Sequence, residues 1–187
     1  MSDFTEPNPP RDSALSAVEK EELLHEIVAV IQQIPGKMPT GSSDGEWTRE
    51  IIKDFKQLGY QWGYWVCPDA NQMTGAWLYD LSWYRDKNEE LVEVPMVLES
   101  EWSRHWKDIR FDFEKLLQAK AGIKVMIFDE GQTDLEDIWQ NLLSSIRAFG
   151  KPEEDECYLL AGFCGNPRGF QVRLVRDARN PSLEPIP

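Results

Sequence analysis

The stretch LYDLSWYRDKNEELVEVPMVLESEW, residues 78–102, decides how this chain folds. Two runs rich in aromatic and branched residues flank the polar segment Arg85-Asp86-Lys87-Asn88, which is the pattern of an antiparallel hairpin. The spacing predicts strands over Ala76–Tyr84 and Leu91–Glu101. Three acidic residues, Asp80, Glu99 and Glu101, are out of keeping with these apolar runs, since Asp is depleted from strands. Successive strand side chains alternate between faces, so Glu99 and Glu101 share one. A register about a tip at Asn88-Glu89 sets Asp80 opposite Val97, with Glu99 a diagonal neighbour; one bulge or a slightly longer turn sets it opposite Glu99. Three carboxylates are therefore expected at one end of the hairpin, where repulsion is relieved by a cation between them. Oxygen donors without His or Cys nearby favour Mg²⁺ or Mn²⁺ over Zn²⁺. The bland account of the same residues is an edge strand kept charged against aggregation.

Working outward, a helix is expected over about residues 16–34. Ser16 and Glu19 have capping-box spacing, Leu24, Ile27, Val28 and Ile31 form a stripe, and Pro35-Gly36 ends it. A second helix, about 43–58, repeats the cap with Ser43 and Glu46, carries the stripe Trp47, Ile51, Phe55 and Leu58, and is closed by Gly59. A strand over Tyr60–Cys67 precedes the hairpin. Beyond it lie a helix over about 107–120 ended by Gly122, a buried strand over Lys124–Phe128, and a helix capped by Thr133 and Glu136. Strands over Cys157–Phe163 and Phe170–Val175 complete the order α-α-β-β-β-α-β-α-β-β. The expected class is α/β (α+β): a mixed sheet flanked by helices, with an αβββαβ core, an extra N-terminal helix and a C-terminal αββ.

That core, over about residues 43–128, with Asp80 in one hairpin strand and Glu99-Ser100-Glu101 in the next, resembles the PD-(D/E)xK (restriction-endonuclease-like) nuclease superfamily. The resemblance implies metal-dependent hydrolysis of phosphodiester bonds in nucleic acid, with Asp80 and Glu99 as ligands of Mg²⁺ or Mn²⁺. Glu101 stands where the superfamily usually has Lys, as ligand or as general base for water. Some restriction enzymes similar to this pattern carry Glu there. Other members place the Lys on the following helix, where Lys115 and Lys120 are the candidates. Lys115 lies about 160° around the helix from Leu117, off the core stripe, and Lys120 is better aligned but sits at the helix end. Either lysine also reads as a surface residue whose stem covers apolar surface. Glu50 on the second helix is a weaker candidate, and no Pro precedes Asp80.

Composition limits these readings. Of 187 residues, 33 are acidic and 20 basic, a net charge of -13 that opposes a surface-wide footprint for polyanions. The charge is uneven: Arg104, Lys107, Arg110, Lys115, Lys120 and Lys124 outnumber Asp108, Asp112 and Glu114 directly after the acidic triplet. Weak, salt-sensitive nucleic-acid binding is expected. The alternative is a catalytically inactive, acidic interaction, immunity or regulatory module that meets a protein partner or a second copy, with Trp62, Trp65, Trp102 and Trp106 exposed. No run is long and apolar enough for a membrane span, no leader pattern opens the chain, and the three cysteines, Cys67, Cys157 and Cys164, read as buried thiols of a cytoplasmic protein. Residues 1–12 and 180–187 read as disordered tails around a single domain, 13–179. Walker, GxGxxG, HExxH and GxSxG patterns are absent.

Overall fold

The computed structural model describes residues 11–68, 77–131, 133–150 and 155–186. Four helices, α1 (Ala17–Lys37), α2 (Asp44–Gln61), α3 (Trp106–Gln118) and α4 (Leu135–Phe149), flank one mixed sheet. Its strands are β1 (Trp65–Cys67), β2 (Leu81–Lys87), β3 (Glu90–Glu101), β4 (Ile123–Asp129), β5 (Cys157–Gly165), β6 (Arg168–Val175) and β7 (Glu184–Pro185). Their spatial order is their chain order. The pairs β3–β4 and β4–β5 are parallel, bridged by α3 and α4, and the remaining pairs are antiparallel. The order α2-β1-β2-β3-α3-β4 is the expected α-β-β-β-α-β.

The helix stripes bury where their periodicity places them. Leu23, Leu24, Ile27, Val28 and Ile31 of α1 pack with Trp47, Ile51 and Phe55 of α2 over one face of the sheet. Ile109, Phe113 and Leu116 of α3 pack with Ile138, Leu142 and Ile146 of α4 over the other. Alternation along β3 divides its side chains accordingly: Met96 and Leu98 face α1 and α2, while Val97 faces α3 and α4. At the helix starts, the Ser16 and Ser43 backbone N–H groups donate to Glu19 and Glu46 at 2.8 and 2.7 Å.

Several boundaries differ from expectation for local reasons. α1 continues to Lys37 with Pro35 inside its last turn, where Ile34 and Met38 remain buried. Gly59 does not close α2, which runs to Gln61; a Cβ there would lie 2.7 Å from Trp83 Nε1 and 2.9 Å from Val66 Cγ2. That glycine lets the helix approach the sheet closely. The extra helical turn shortens the strand expected over Tyr60–Cys67 to Trp65–Cys67. β2 begins at Leu81, and Ala76, its expected start, lies outside the described residues. Asp134, not Thr133, caps α4 by accepting from the Glu136 N–H at 2.8 Å. Glu184–Pro185, within the segment read as a tail, pairs with Arg173 and Leu174 of β6.

The hairpin register is where a small deviation matters most. Lys87 pairs with Glu90 and Asp86 with Leu91 across the tip, but irregularities on either side of Arg85 shift the register so that Leu81 faces Leu98. Pro95, which cannot donate to a ladder, falls in this irregular stretch and ahead of the first β4 pairing at Met96. The shift carries the segment before β2 toward Glu99 and Ser100.

Candidate functional site

Asp80 precedes β2, and its Oδ2 accepts the Ser100 backbone N–H at 2.8 Å, tying it to the end of β3. Glu99 points to the α3 side and is 1% exposed. Its Oε2 lies 2.8 Å from Lys115 Nζ of α3, and its Oε1 is buried with no hydrogen-bond partner. Lys115 also meets Asp112 Oδ1 at 2.7 Å, one turn earlier on the same helix. Glu101 accepts the Ser103 N–H and shares a hydrogen bond with the Asp112 carboxyl. Asp108 accepts from the Ser103 hydroxyl at 2.6 Å, which fixes the turn into α3.

The geometry explains why Lys115, a surface lysine by helical phase, enters the site. α3 returns from the end of β3 and packs along it, and long helical side chains lean toward the helix N-terminus. Lys115 is thereby carried toward the end of the strand. Lys120 is not brought there: it is exposed, beyond the last residue of α3. Glu50 lies on α2, across the sheet, paired with Lys53 at 2.9 Å. Asp112 and Tyr79 are additions to the expected set. The only sequence signal for Asp112 is its i, i+3 spacing to Lys115.

Four carboxyl groups and one ammonium share this corner, so negative charge is under-compensated. Burial pushes the Glu99 carboxyl up to about 8; the charges of Asp80 and Asp112 add to the rise, while Lys115 opposes it. Burial also raises Asp80, against the stabilising Ser100 N–H. Glu101 is raised by burial and by the hydrogen bond it shares with Asp112. Burial works against the Lys115 charge, but the hydrogen bonds to Asp112 and Glu99 outweigh it and the pKa rises.

The donor set bears on a metal. Among the described residues no group of three or more His, Cys, Asp or Glu side chains is gathered to hold one. The expected trio is not assembled as a shell, because Ser103 and Asp112 engage Glu101. Asp80 and Glu99 remain as an oxygen-only pair, and Glu99 Oε1 is an acceptor without a partner. This fits Mg²⁺, which commonly takes one or two carboxylates and completes its shell with water and phosphate oxygens.

Other expectations fall elsewhere. Trp102 is not exposed; it is 5% exposed and packs on Trp47 at a ring distance of 4.8 Å. Trp62 is half-buried and donates to Glu26 at 2.8 Å, and Trp65 and Trp106 are also half-buried. Cys157 and Cys164 are buried, whereas Cys67 is half-buried. No helix among the described residues is long and apolar enough to cross a membrane. Comparisons with protein-family models, curated proteins and solved structures find no match, so the site is interpreted from its own geometry.

Proposed function

We propose that the protein is a metal-dependent nuclease whose active centre is Asp80, Glu99 and Lys115, a PD-(D/E)xK arrangement with the lysine supplied by α3. One observation carries the reading: Lys115 Nζ sits 2.8 Å from a buried Glu99 whose second oxygen has no protein partner. Surface salt bridges do not bury one carboxylate and leave half of it unsatisfied, because that costs free energy with no gain in stability. Functional sites tolerate it.

In this reading Asp80 and Glu99 would hold Mg²⁺ or Mn²⁺, which when bound would supply polarisation of the scissile phosphate and acidification of water. The Ser100 N–H orients Asp80. Lys115, kept cationic by Asp112 and Glu99, orients the attacking water and offsets charge developing on the phosphate. Glu101, raised by burial and by its contact with Asp112, lies beside the same lysine. The free thiols fit a reducing compartment, and we place the protein in the cytoplasm.

The test is cleavage of single- and double-stranded DNA and RNA with Mg²⁺ or Mn²⁺ by wild type and Glu99→Gln. Loss of cleavage in the variant is expected. Equal nicking by both proteins, or none by either, sinks the proposal. The net charge of -13 favours a second reading, a catalytically silent module that binds a basic protein. It predicts salt-sensitive capture of a partner that Glu99→Gln leaves unchanged.

A further inference from the structure

The surface beside the carboxylate–lysine site is aromatic, and three of its cations are already in ion pairs. Phe111 is 67% exposed on α3, one turn before Lys115, with its ring centre 6.0 Å from the Lys115 ammonium. Trp77 and Leu78, 43% and 60% exposed, lead directly into Asp80. The Trp77 ring rests against Tyr84 at 5.2 Å, which holds it as a platform. Tyr79 is half-buried between Leu78 and Asp80, close enough to Glu99 and Lys115 for both charges to act on its phenol. Seven large hydrophobic residues are exposed among those described, and these three adjoin the site in space or in chain.

Lys107 is exposed on α3, but the other cations near the site are engaged by carboxylates. Arg110 pairs with Glu114 at 2.7 Å and Arg104 with Asp129 at 3.1 Å, while Lys115 is held by Glu99 and Asp112. Duplex binding draws mainly on phosphate neutralisation by Lys and Arg, and an acidic chain with paired cations is poorly suited to it. Exposed rings stack on unpaired bases with little regard to sequence, a contribution that adds to whatever the cations supply and that a duplex cannot use. Resting on the nuclease reading of this site, we infer that its substrate is an unpaired nucleic-acid strand whose bases stack on Phe111 and Trp77 and bring the intervening phosphate to Asp80, Glu99 and Lys115.

The experiment measures fluorescence anisotropy of fluorescein-labelled oligothymidylate, oligouridylate and a mixed-sequence duplex with the full chain in EDTA, where binding is read without hydrolysis. One or both single strands should bind more tightly than the duplex. Phe111→Ala should weaken strand binding about tenfold, and Phe111→Trp should preserve it. Phe111 is exposed, so neither variant disturbs the core. Duplex binding at equal or greater affinity, unchanged strand affinity in Phe111→Ala, or binding of no oligonucleotide overturns the inference. Addition of Mn²⁺ separates it from the reading beneath it. Cleavage of strand and duplex alike by Phe111→Ala keeps the nuclease and removes the stacking platform. Phe111-dependent strand binding without cleavage keeps the platform and removes the nuclease.

Discussion

Lys115 Nζ lies 2.8 Å from Glu99 Oε2, and the other oxygen of that carboxylate is enclosed without a hydrogen-bond partner. Burial and the neighbouring charges of Asp80 and Asp112 favour protonation of Glu99 near neutral pH, against the pull of the Lys115 ammonium. A divalent cation offers the same relief by another route.

Stability should therefore fall as pH rises. Glu99 has a folded pKa of about 8, above the ordinary value of 4.5, so the native state binds more protons than the unfolded state between these limits. Its contribution is fully present below about pH 4.5 and is lost as pH climbs through 8. Denaturant unfolding of wild type and Glu99→Gln in EDTA at a series of pH values checks this. The variant should gain at least ~1 kcal/mol relative to wild type between pH 6 and pH 9. Parallel profiles would contradict the assignment.

Replacing Lys115 tests the catalytic role of the pair. Lys115→Met should lower the cleavage rate by at least about 100-fold while the far-ultraviolet circular dichroism stays native. A Lys120→Met control should cleave like wild type, because Lys120 stands outside the site.

Metal binding should depend on Asp80. Calorimetric titration of Mn²⁺ into wild type should show a binding isotherm that Asp80→Ala loses, with proton release near pH 7 as Glu99 ionises. An unchanged isotherm in the variant would place the ion elsewhere.

Gly59→Ala should destabilise the fold despite the better helix propensity of alanine. The new Cβ would meet Trp83 Nε1 at 2.7 Å, and Trp83 is fully buried with its indole N–H donating to the Phe55 carbonyl at 3.1 Å. Overpacking costs about 1–3 kcal/mol, more than the roughly 1 kcal/mol gained by the helix. Thermal unfolding of the variant should show a lower Tm.

A separate charge pair lies at the opposite ends of the parallel strands. Lys124 Nζ is 2.8 Å from Glu156 Oε1 and 3.2 Å from the Tyr158 hydroxyl, with Lys124 wholly buried. Lys124→Met removes the buried ammonium 2.8 Å from Glu156 and should cost about 3–5 kcal/mol in chemical denaturation. Substitution of both partners by apolar residues should recover much of that loss.

Periodicity alone was enough for the helices: the α2 stripe Trp47, Ile51, Phe55 and Leu58 is buried as its spacing requires. It also located the hairpin, because its polar tip separates two apolar runs. What local pattern could not decide was set by packing. Gly59 carries the signature of a helix end, yet its missing Cβ serves the contact with Trp83. The bulge around Arg85 is marked only by Pro95 on the partner strand, which does not state its size, and it determines which β3 residue Asp80 meets. Lys115 was ambiguous because helical phase locates a Cα, whereas the reach and lean of a lysine locate its charge. Trp102 follows the charged triplet, a context that suggests exposure, but it turns into the α1–α2 side of the core.

The sheet lists its seven strands in the order in which the chain lists them. No strand must be threaded between two already paired, so each finds its upstream partner waiting as synthesis proceeds. Asp80, Glu99 and Lys115 fall within one short stretch, and the parallel strand β4 follows them directly. The proposed site is thus encoded compactly, and β5–β7 arrive as an extension of a sheet that already holds it. A division of labour along the chain follows, in which changes in the C-terminal strands leave the residues of the proposed site untouched.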